Sequence, residues 1–490
     1  MSHLNVFKQP KQFYLIFSVE FWERFGFYGM QAILAVYLVR ILGMSESQSF
    51  ILFGSFSALI FGSVAIGGFI GDKILGTKRT LILGAVILTV GYTLLGLSAS
   101  AQHLGSSNLI YIAMGFITMG NGLFKANPSS LLAKLYEKGD KRLDGAFTMY
   151  YMAINLGSFF SMLLTPLIAS KFGYGLAFSV SAIGLIITVI NFLTCLNMVK
   201  GVGSKPDQQP LKKSYYLGVV VGTIALSFLC SLLLQHLFYA HAILLVVGIT
   251  VVAIYMREAF RTHGLERAKM LVAFVLMLQA IAFFVLYFQM PTSLNFFAIK
   301  NVEHSLFGII VAPEQFQALN PFWIVIASPF LAIAYNHLGE RFAMPYKFAF
   351  GIALCALSFL TLKFGTNFAN SNAIINANWL VLCYAFQSVG ELLVSGLGLA
   401  MIAQLVPQRM MGFAMGMWFL TSATAAVIAG WVASLTTTPA GSIDAHESLA
   451  IYSEVFGNIG YVTSVIAIIT FILAPKLTQI ISGKPKVLST

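Results

Sequence analysis

The chain has 490 residues, of which 58% are hydrophobic and only 9% are charged. Soluble globular proteins carry about 25% charged residues, so a chain this apolar could not cover its own surface in water. The composition excludes a soluble enzyme or binding protein and predicts an integral membrane protein.

The net charge of +12 reflects where the cations lie and does not indicate a nucleic-acid partner. Of the 29 Lys and Arg residues, 23 fall on alternate short loops or at the two ends of the chain. Membrane proteins concentrate Lys and Arg on their cytoplasmic loops, so this asymmetry predicts that both termini are cytoplasmic. It also excludes nucleic acid as a partner.

Apolar runs long enough to span a membrane follow one another along the whole chain. A helix needs about 20 apolar residues to cross the hydrocarbon core. Fourteen such runs lie near residues 13–40, 50–72, 80–99, 107–133, 143–167, 174–198, 215–237, 239–257, 268–292, 318–338, 345–364, 376–403, 409–435 and 452–474.

The runs divide as six, two and six, because a linker rich in Pro, Gly and Lys follows the sixth run at 199–214. We therefore predict three domains: a six-helix bundle over 1–198, a linker with two accessory helices over 199–264, and a second six-helix bundle over 265–490. Repeated six-helix halves are common among secondary transporters, whose sites lie near the membrane midplane.

The first run carries an unusual group of polar side chains. Glu20, Glu23, Arg24, Tyr28 and Gln31 fall on one face of the predicted helix. Ionisable groups inside a span are costly, so they indicate function by default. The alternative is a frayed cytoplasmic helix end with solvated charges, since Glu20 lies only about 10 Å into the helix.

Two further spans contain polar residues. Lys125 lies deep in the fourth run, so a buried and paired lysine is expected there. In the fifth run Phe147, Tyr151 and Asn155 recur at a spacing of four and share one stripe. Aromatic stripes are usually packing, but Asn155 adds a polar group that needs a partner in a dry environment.

A lone acid, Glu391, lies in the twelfth run. Gln387 precedes it by one helical turn and Ser395 follows it by one turn. A solitary carboxylate in the middle of a span is the clearest functional signal in the sequence.

Three segments resemble signatures of the proton-dependent oligopeptide transporter family of the major facilitator superfamily. They are ERFGFYG at 23–29, GGFIGDKILGTKRT at 67–80 and FTMYYMAINLG at 147–157. With Glu20, the first gives that family's E-x-x-E-R pattern. The resemblance implies an all-α membrane protein with the major facilitator fold, two six-helix bundles and two accessory helices like those of bacterial members.

The resemblance also implies a function and a set of site residues. The function is uptake of dipeptides and tripeptides driven by protons across the bacterial inner membrane, with Glu20, Glu23, Arg24, Lys125 and Glu391 coupling proton binding to gating. The implied substrate pocket contains Tyr28, Gln31, Lys125, Tyr151, Asn155, Phe284, Asn320, Glu391 and Ser395. Lys125 would lie near the peptide carboxylate, whereas Asn155, Asn320 and Glu391 would face its amino terminus. Asp72, Lys78 and Arg79 match the family's gating loop.

At three positions the chain departs from the pattern of the family that it resembles. Gln31 stands where many relatives have a second arginine, and Phe61 stands where they have a pocket tyrosine. Tyr287 lies where some relatives carry an acid in helix seven.

A charge count suggests a mechanism. Glu20, Glu23 and Glu391 against Arg24 and Lys125 leave a net charge of minus one. We hypothesise that one proton neutralises the empty site, because a balanced site can reorient through a dry environment more easily. The expected partners are a small peptide, protons and lipid, with no cofactor or metal and with a monomer as the functional unit.

Other functions stay open at this point. The nearest is the same fold moving nitrate, a drug or an amino acid. A membrane enzyme is disfavoured because the eight histidines are scattered without paired metal spacing and no phosphate-binding loop is present. A channel is harder to exclude from composition.

Overall fold

The computed structural model describes residues 9–100, 107–137, 140, 142–306, 308–339, 342–438 and 444–483. Thirteen helical segments in this part are long and apolar enough to cross a membrane. A further helix, α1, spans Lys11–Arg40 and is also long enough to cross a membrane, and it carries the charged residues Glu20, Glu23 and Arg24. These segments correspond to the fourteen predicted runs.

The helices follow one another with few other elements. Before the linker they are α1, α2 Glu46–Phe69, α3 Thr77–Ser100, α4 Ser107–Lys125, α5 Asn127–Ala133, α6 Arg142–Phe172 and α7 Tyr174–Thr194. The accessory pair is α8 Lys213–Gln235 and α9 Leu237–Arg261. The remainder are α10 Gly264–Tyr287, α11 Ser293–Asn301, α12 Leu319–Leu338, α13 Met344–Gly365, α14 Asn378–Val394, α15 Gly398–Leu405, α16 Met411–Ser434 and α17 Ala445–Ser482.

Sequence reasoning assigned nothing between the ninth and tenth runs. The structure places α11 there, followed by an antiparallel strand pair, β1 Ser305–Leu306 and β2 Ile309–Ile310, and by a 3-10 helix at Pro313–Ala318. The elements are too short for hydrophobic periodicity to reveal them.

Three predicted spans are interrupted. The fourth run is two helices, α4 and α5, with Pro128 in the first turn of α5. The twelfth run changes to a 3-10 turn at Ser395–Leu397 between α14 and α15. α2 ends in a single π turn at Ile70–Ile74, a feature often found at functional sites.

Two compact units make up the chain. The first comprises the residues up to Gly43 together with Leu59–Ala240, and the second comprises Met44–Ala58 together with the chain from His241 onward. α2 therefore contributes its first half to the second unit and its second half to the first.

Small residues allow close helix packing in the first unit. α1 packs along α6 and α7, α3 packs along α4 and α7, and α8 packs along α4. A Cβ added at Gly84 of α3 would meet the backbone of α4, and one added at Gly115 of α4 would meet the backbone of α8 at Ser227. Close backbone approach supplies van der Waals contact where lipid provides no hydrophobic drive between helices.

The second unit is built around α13, which packs against α14 and α17, while α10 packs on α16 and α12 on α14. Gly351 of α13 and Gly390 of α14 face each other so closely that a Cβ at Gly351 would meet the Gly390 carbonyl. This contact fixes the backbone immediately before Glu391.

Candidate functional site

A buried cluster of charges lies on α1 in the first unit. The Nε of Arg24 lies 3.2 Å from an oxygen of Glu20, one helical turn away, and is also paired with Glu23. We call Glu20, Glu23 and Arg24 the α1 charge cluster. A guanidinium paired with two carboxylates is the arrangement that makes buried charge tolerable.

The α1 charge cluster lies in the interior of the first unit. Glu20 and Arg24 are each 3% exposed and Glu23 is fully buried. The alternative of a frayed helix end with solvated charges is therefore wrong.

Two neighbours that sequence reasoning missed complete the cluster. The Tyr150 hydroxyl on α6 donates to Glu20 at 2.6 Å, and the Asn121 amide on α4 donates to Glu23 at 3.1 Å. Asn121 had a detectable signal, because it lies one turn before Lys125 on the same helical face. No comparable signal marked Tyr150, because the resemblance assigned a pocket role to its neighbour Tyr151 and none to Tyr150.

Lys125 differs from the prediction of a buried, paired lysine. The residue is half-buried, and among the described residues no carboxylate oxygen lies within 4.0 Å of its ammonium. The ammonium lies 4.1 Å from the centroid of the Phe61 ring, within range of a cation–π contact. The partner at the end of α4 is therefore an aromatic face and not an ion pair, which leaves the ammonium uncommitted to any carboxylate.

The other predicted residues of the first unit lie on α1 and α6. Gln31 is buried and Tyr28 is half-buried on α1. On α6, Asn155 is buried and its amide donates to the Tyr151 carbonyl at 2.8 Å. The partner that Asn155 needs is thus its own helix backbone.

A second polar group lies in the second unit, around Glu391 on α14. The Asn320 amide on α12 donates to Glu391 at 2.8 Å and to the Ser388 hydroxyl at 3.1 Å. The Ser388 hydroxyl donates in turn to the Asn320 carbonyl. In the part of the chain that the structure describes, no cation lies within 4.0 Å of Glu391. We call Glu391, Asn320 and Ser388 the α14 carboxylate site.

The helix that carries Glu391 is broken one turn later. Ser395 begins the 3-10 turn after α14, so its half-buried side chain lies at a discontinuity in the helix. Discontinuous helices supply binding sites in many transporters because backbone groups are freed at the break. Phe284 of α10 is buried and packs edge-on against Trp418 of α16.

Two of the three departures have local partners in the structure. Phe61 carries the contact with Lys125 described above, and the Tyr287 ring packs against the rings of Phe283 and Phe288. Two residues after Tyr287, the buried Gln289 donates to the Ala429 carbonyl of α16 at 3.2 Å and accepts from Ser293 at 2.6 Å. Gln289 therefore ties the end of α10 to α16 and to the start of α11.

Of the predicted gating residues, Asp72 lies in the π turn that ends α2, whereas Lys78 and Arg79 lie in the first turn of α3. Asp72 pairs with Lys134 at 3.3 Å. Lys78 and Arg79 direct their side chains to backbone carbonyls of the linker that follows α7. Their part in gating stays a prediction.

The fold and these buried charges define a polytopic membrane transporter with the major facilitator fold. The POT family profile (PTR2) matches residues 78–449, which is more than half of the chain. The chain belongs to the POT family.

Relatives with curated names cover nearly the whole chain. Dipeptide and tripeptide permease A of Serratia proteamaculans (strain 568) is 58% identical over 474 residues, 97% of this chain and 93% of the relative. The protein of the same name from Salmonella typhimurium (strain LT2) is 56% identical over 476 residues, 97% of this chain and 94% of the relative.

Solved structures are similar over the same length. Tetrameric PepTSo2 matches with a TM-score of 0.85 at 35% identity, covering 96% of this chain and 99% of that one. A bacterial homologue of the human drug peptide transporters PepT1 and PepT2 matches with a TM-score of 0.84 at 36% identity, covering 96% and 98%.

Proposed function

We propose that this protein is a proton-coupled symporter that imports dipeptides and tripeptides by alternating access. Family membership and the relatives' names support the substrate class. The observation that carries the mechanism is the α1 charge cluster, in which two carboxylates share one guanidinium inside the protein.

The α1 charge cluster is the proposed proton site. Glu20, Glu23, Arg24 and Lys125 sum to zero charge when all four are ionised. A peptide carboxylate that binds near this group adds one negative charge, and uptake of one proton by Glu20 or Glu23 restores neutrality. A neutral group is easier to carry through a low-dielectric environment.

Lys125 is the proposed partner of the peptide carboxylate. Its ammonium lies over an aromatic ring and is not committed to an ion pair among the described side chains. A substrate carboxylate can therefore bind it without displacing a protein carboxylate. Arg24, by contrast, is already paired twice.

The α14 carboxylate site is the proposed partner of the peptide ammonium. Glu391 keeps one neutral hydrogen-bond donor, Asn320, and lacks a cation within 4.0 Å in the described ranges. An ammonium would offset the cost of a partly desolvated carboxylate. Gln31, Tyr28, Tyr151, Asn155, Phe284 and Ser395 are the other proposed substrate-binding residues.

The setting is also proposed. The protein lies in the bacterial cytoplasmic membrane with both termini cytoplasmic, and one chain is the functional unit because it carries all the proposed residues. The proposed domains are those given above, 1–198, 199–264 and 265–490. Protons are the coupling ion, no cofactor takes part, and no covalent chemistry is catalysed. Each carried proton gains on the order of 2.3 kcal/mol per 100 mV of membrane potential.

Reconstitution into liposomes with an imposed pH gradient tests the proposal. Labelled dialanine and trialanine should accumulate only with the interior alkaline, and a proton uncoupler should abolish the accumulation. Free alanine and nitrate should neither accumulate nor compete. Gradient-driven uptake of nitrate or free alanine without dipeptide uptake would replace the proposed substrate.

A further inference from the structure

The linker after α7 is an ordered clasp on the cytoplasmic end of the first unit. Residues 199–209 contain a short 3-10 helix at Lys205–Gln208. The Asp207 carboxylate accepts from the Lys78 backbone amide at 3.2 and 3.4 Å, at the start of α3. The same carboxylate accepts from the Ser204 amide at 2.9 Å.

Ser204 makes the second connection. Its hydroxyl donates to the Gly71 carbonyl in the π turn of α2 at 2.7 Å and accepts from the Thr77 amide at 3.1 Å. One serine therefore joins the last turn of α2 to the first turn of α3. Amides at a helix start lack partners within the helix, so these acceptors satisfy two of them.

Side chains at the start of α3 also donate hydrogen bonds to backbone carbonyls of the linker. The Lys78 ammonium donates to the Val199 and Lys200 carbonyls at 2.9 and 3.1 Å. The Arg79 guanidinium donates to the Pro206 and Gln209 carbonyls at 3.1 and 2.9 Å. Lys78 is only 7% exposed, so its contacts are shielded from water.

Two glycines make room for this arrangement. Gly76 has φ +100° and Gly203 has φ +138°, both in the region that side chains disfavour. A Cβ at either position would meet the Asp207 side chain. Both the loop before α3 and the linker therefore have a glycine where their backbones pass the Asp207 carboxylate.

We propose that Ser204 and Asp207 are positioning residues, which hold the cytoplasmic loop between α2 and α3 in the shape that reorientation requires. Alternating access depends largely on each helical half moving as a rigid body. The clasp joins the end of α2 and the start of α3 to the linker that follows α7 through these hydrogen bonds. This inference rests on the proposed transport function.

The proposal predicts different effects of the clasp on turnover and on substrate binding. Neither Ser204 nor Asp207 contacts the α1 charge cluster or Lys125 among the described residues. Loss of the clasp should therefore slow reorientation and leave substrate affinity unchanged.

Asp207→Ala and Ser204→Ala, in the full-length protein in liposomes, test the clasp. We expect kcat of gradient-driven dialanine uptake to fall about three- to tenfold, with KM within about twofold, as for the loss of a helix cap. Asp207→Asn, which keeps one acceptor oxygen, should recover part of the loss. Asp140→Ala is the matched control and should leave kcat unchanged, because the ion pair of Asp140 within the described residues is with Arg142, on the same cytoplasmic side and apart from the clasp.

Amide hydrogen exchange gives a readout that does not depend on transport. The Thr77, Lys78 and Ser204 amides should exchange about tenfold faster in Asp207→Ala than in the wild type. Wild-type protein that fails to accumulate dialanine would overturn the transport function, whereas unchanged exchange would overturn the clasp itself. Folded Asp207→Ala with unchanged kcat, or with a raised KM alone, would also overturn the positioning role. If Asp207→Ala does not fold, Asp207→Asn and Ser204→Ala decide by the same criteria.

Discussion

The two polar groups inside this transporter differ in how their charges are satisfied. In the α1 charge cluster two carboxylates share Arg24, and Asn121 and Tyr150 supply further donors. In the α14 carboxylate site, the neutral amide of Asn320 is the one hydrogen-bond donor to Glu391 among the described residues.

We therefore expect the two groups to have different chemical roles. Where two carboxylates share one guanidinium, one of them can take up a proton when another anion arrives, so the α1 charge cluster suits proton coupling. A single carboxylate with neutral neighbours gains most from a cation that binds directly, so it suits recognition of an ammonium. Each substitution described below tests one part of this comparison.

The most complete loss of function is expected from Glu23→Gln. The amide still accepts from Asn121 but cannot take up a proton, so accumulation driven by the pH gradient should fall at least about tenfold, to the level without a gradient. Radiolabelled dialanine uptake measures this. Asp144→Asn, an exposed acid in the first turn of α6, is the control. Wild-type accumulation by Glu23→Gln would remove the α1 charge cluster from the coupling step.

Glu391→Gln should mainly weaken binding. A hydrogen bond to a charged group contributes about 1.5–3 kcal/mol, so KM for dialanine should rise about 10- to 150-fold. Competition by N-acetyl-dialanine, which lacks the ammonium, should be equally weak against wild type and variant. Ser388→Ala, which removes only the hydroxyl that contacts Asn320, is the matched control and should change KM far less. An unchanged KM would show that Glu391 does not bind the peptide amine.

Lys125→Gln is expected to act on the other end of the peptide. KM for dialanine should rise about tenfold, while amidated dialanine should inhibit wild type and variant alike. The melting temperature should stay unchanged, because Lys125 has no ion pair among the described residues. Lys171→Gln, which replaces an exposed lysine in the last turn of α6, is the control. A large drop in melting temperature with unchanged KM would contradict the binding role.

The smallest effect is expected from Tyr150→Phe. Glu20 would lose one hydroxyl donor but keep Arg24, so turnover should fall about threefold. Initial rates of uptake measure this, with Tyr215→Phe on the exposed face of α8 as the control. A loss as complete as that of Glu23→Gln would mean that Tyr150 itself belongs to the proton path.

Much of the fold follows from the sequence, because span length and the distribution of cations are read directly from it. The interruption after Glu391 does not follow, since Ser395 and its neighbours read as a continuous apolar helix. The strand pair and α11 are too short to leave a periodic signal.

The site was predicted unevenly for a physical reason. Helical spacing shows which residues share a face, so Glu20, Glu23 and Arg24 could be grouped correctly. It does not show which helix faces them. Helical spacing therefore predicts neither Tyr150 on α6 as a partner of Glu20 nor the Phe61 ring, instead of an ion pair, as the partner of Lys125. The partner of Asp207 was hidden for the same reason, because α3 lies far from the linker in sequence.

Proton flux during peptide uptake tests the division between the two groups most directly. A pH-sensitive dye trapped in the liposomes would record proton entry when dialanine is added, with dialanine counterflow measured in parallel. We predict proton entry in the wild type, and none in Glu23→Gln even though that variant still exchanges dialanine in counterflow. Proton entry by Glu23→Gln at the wild-type ratio to dialanine would contradict the account.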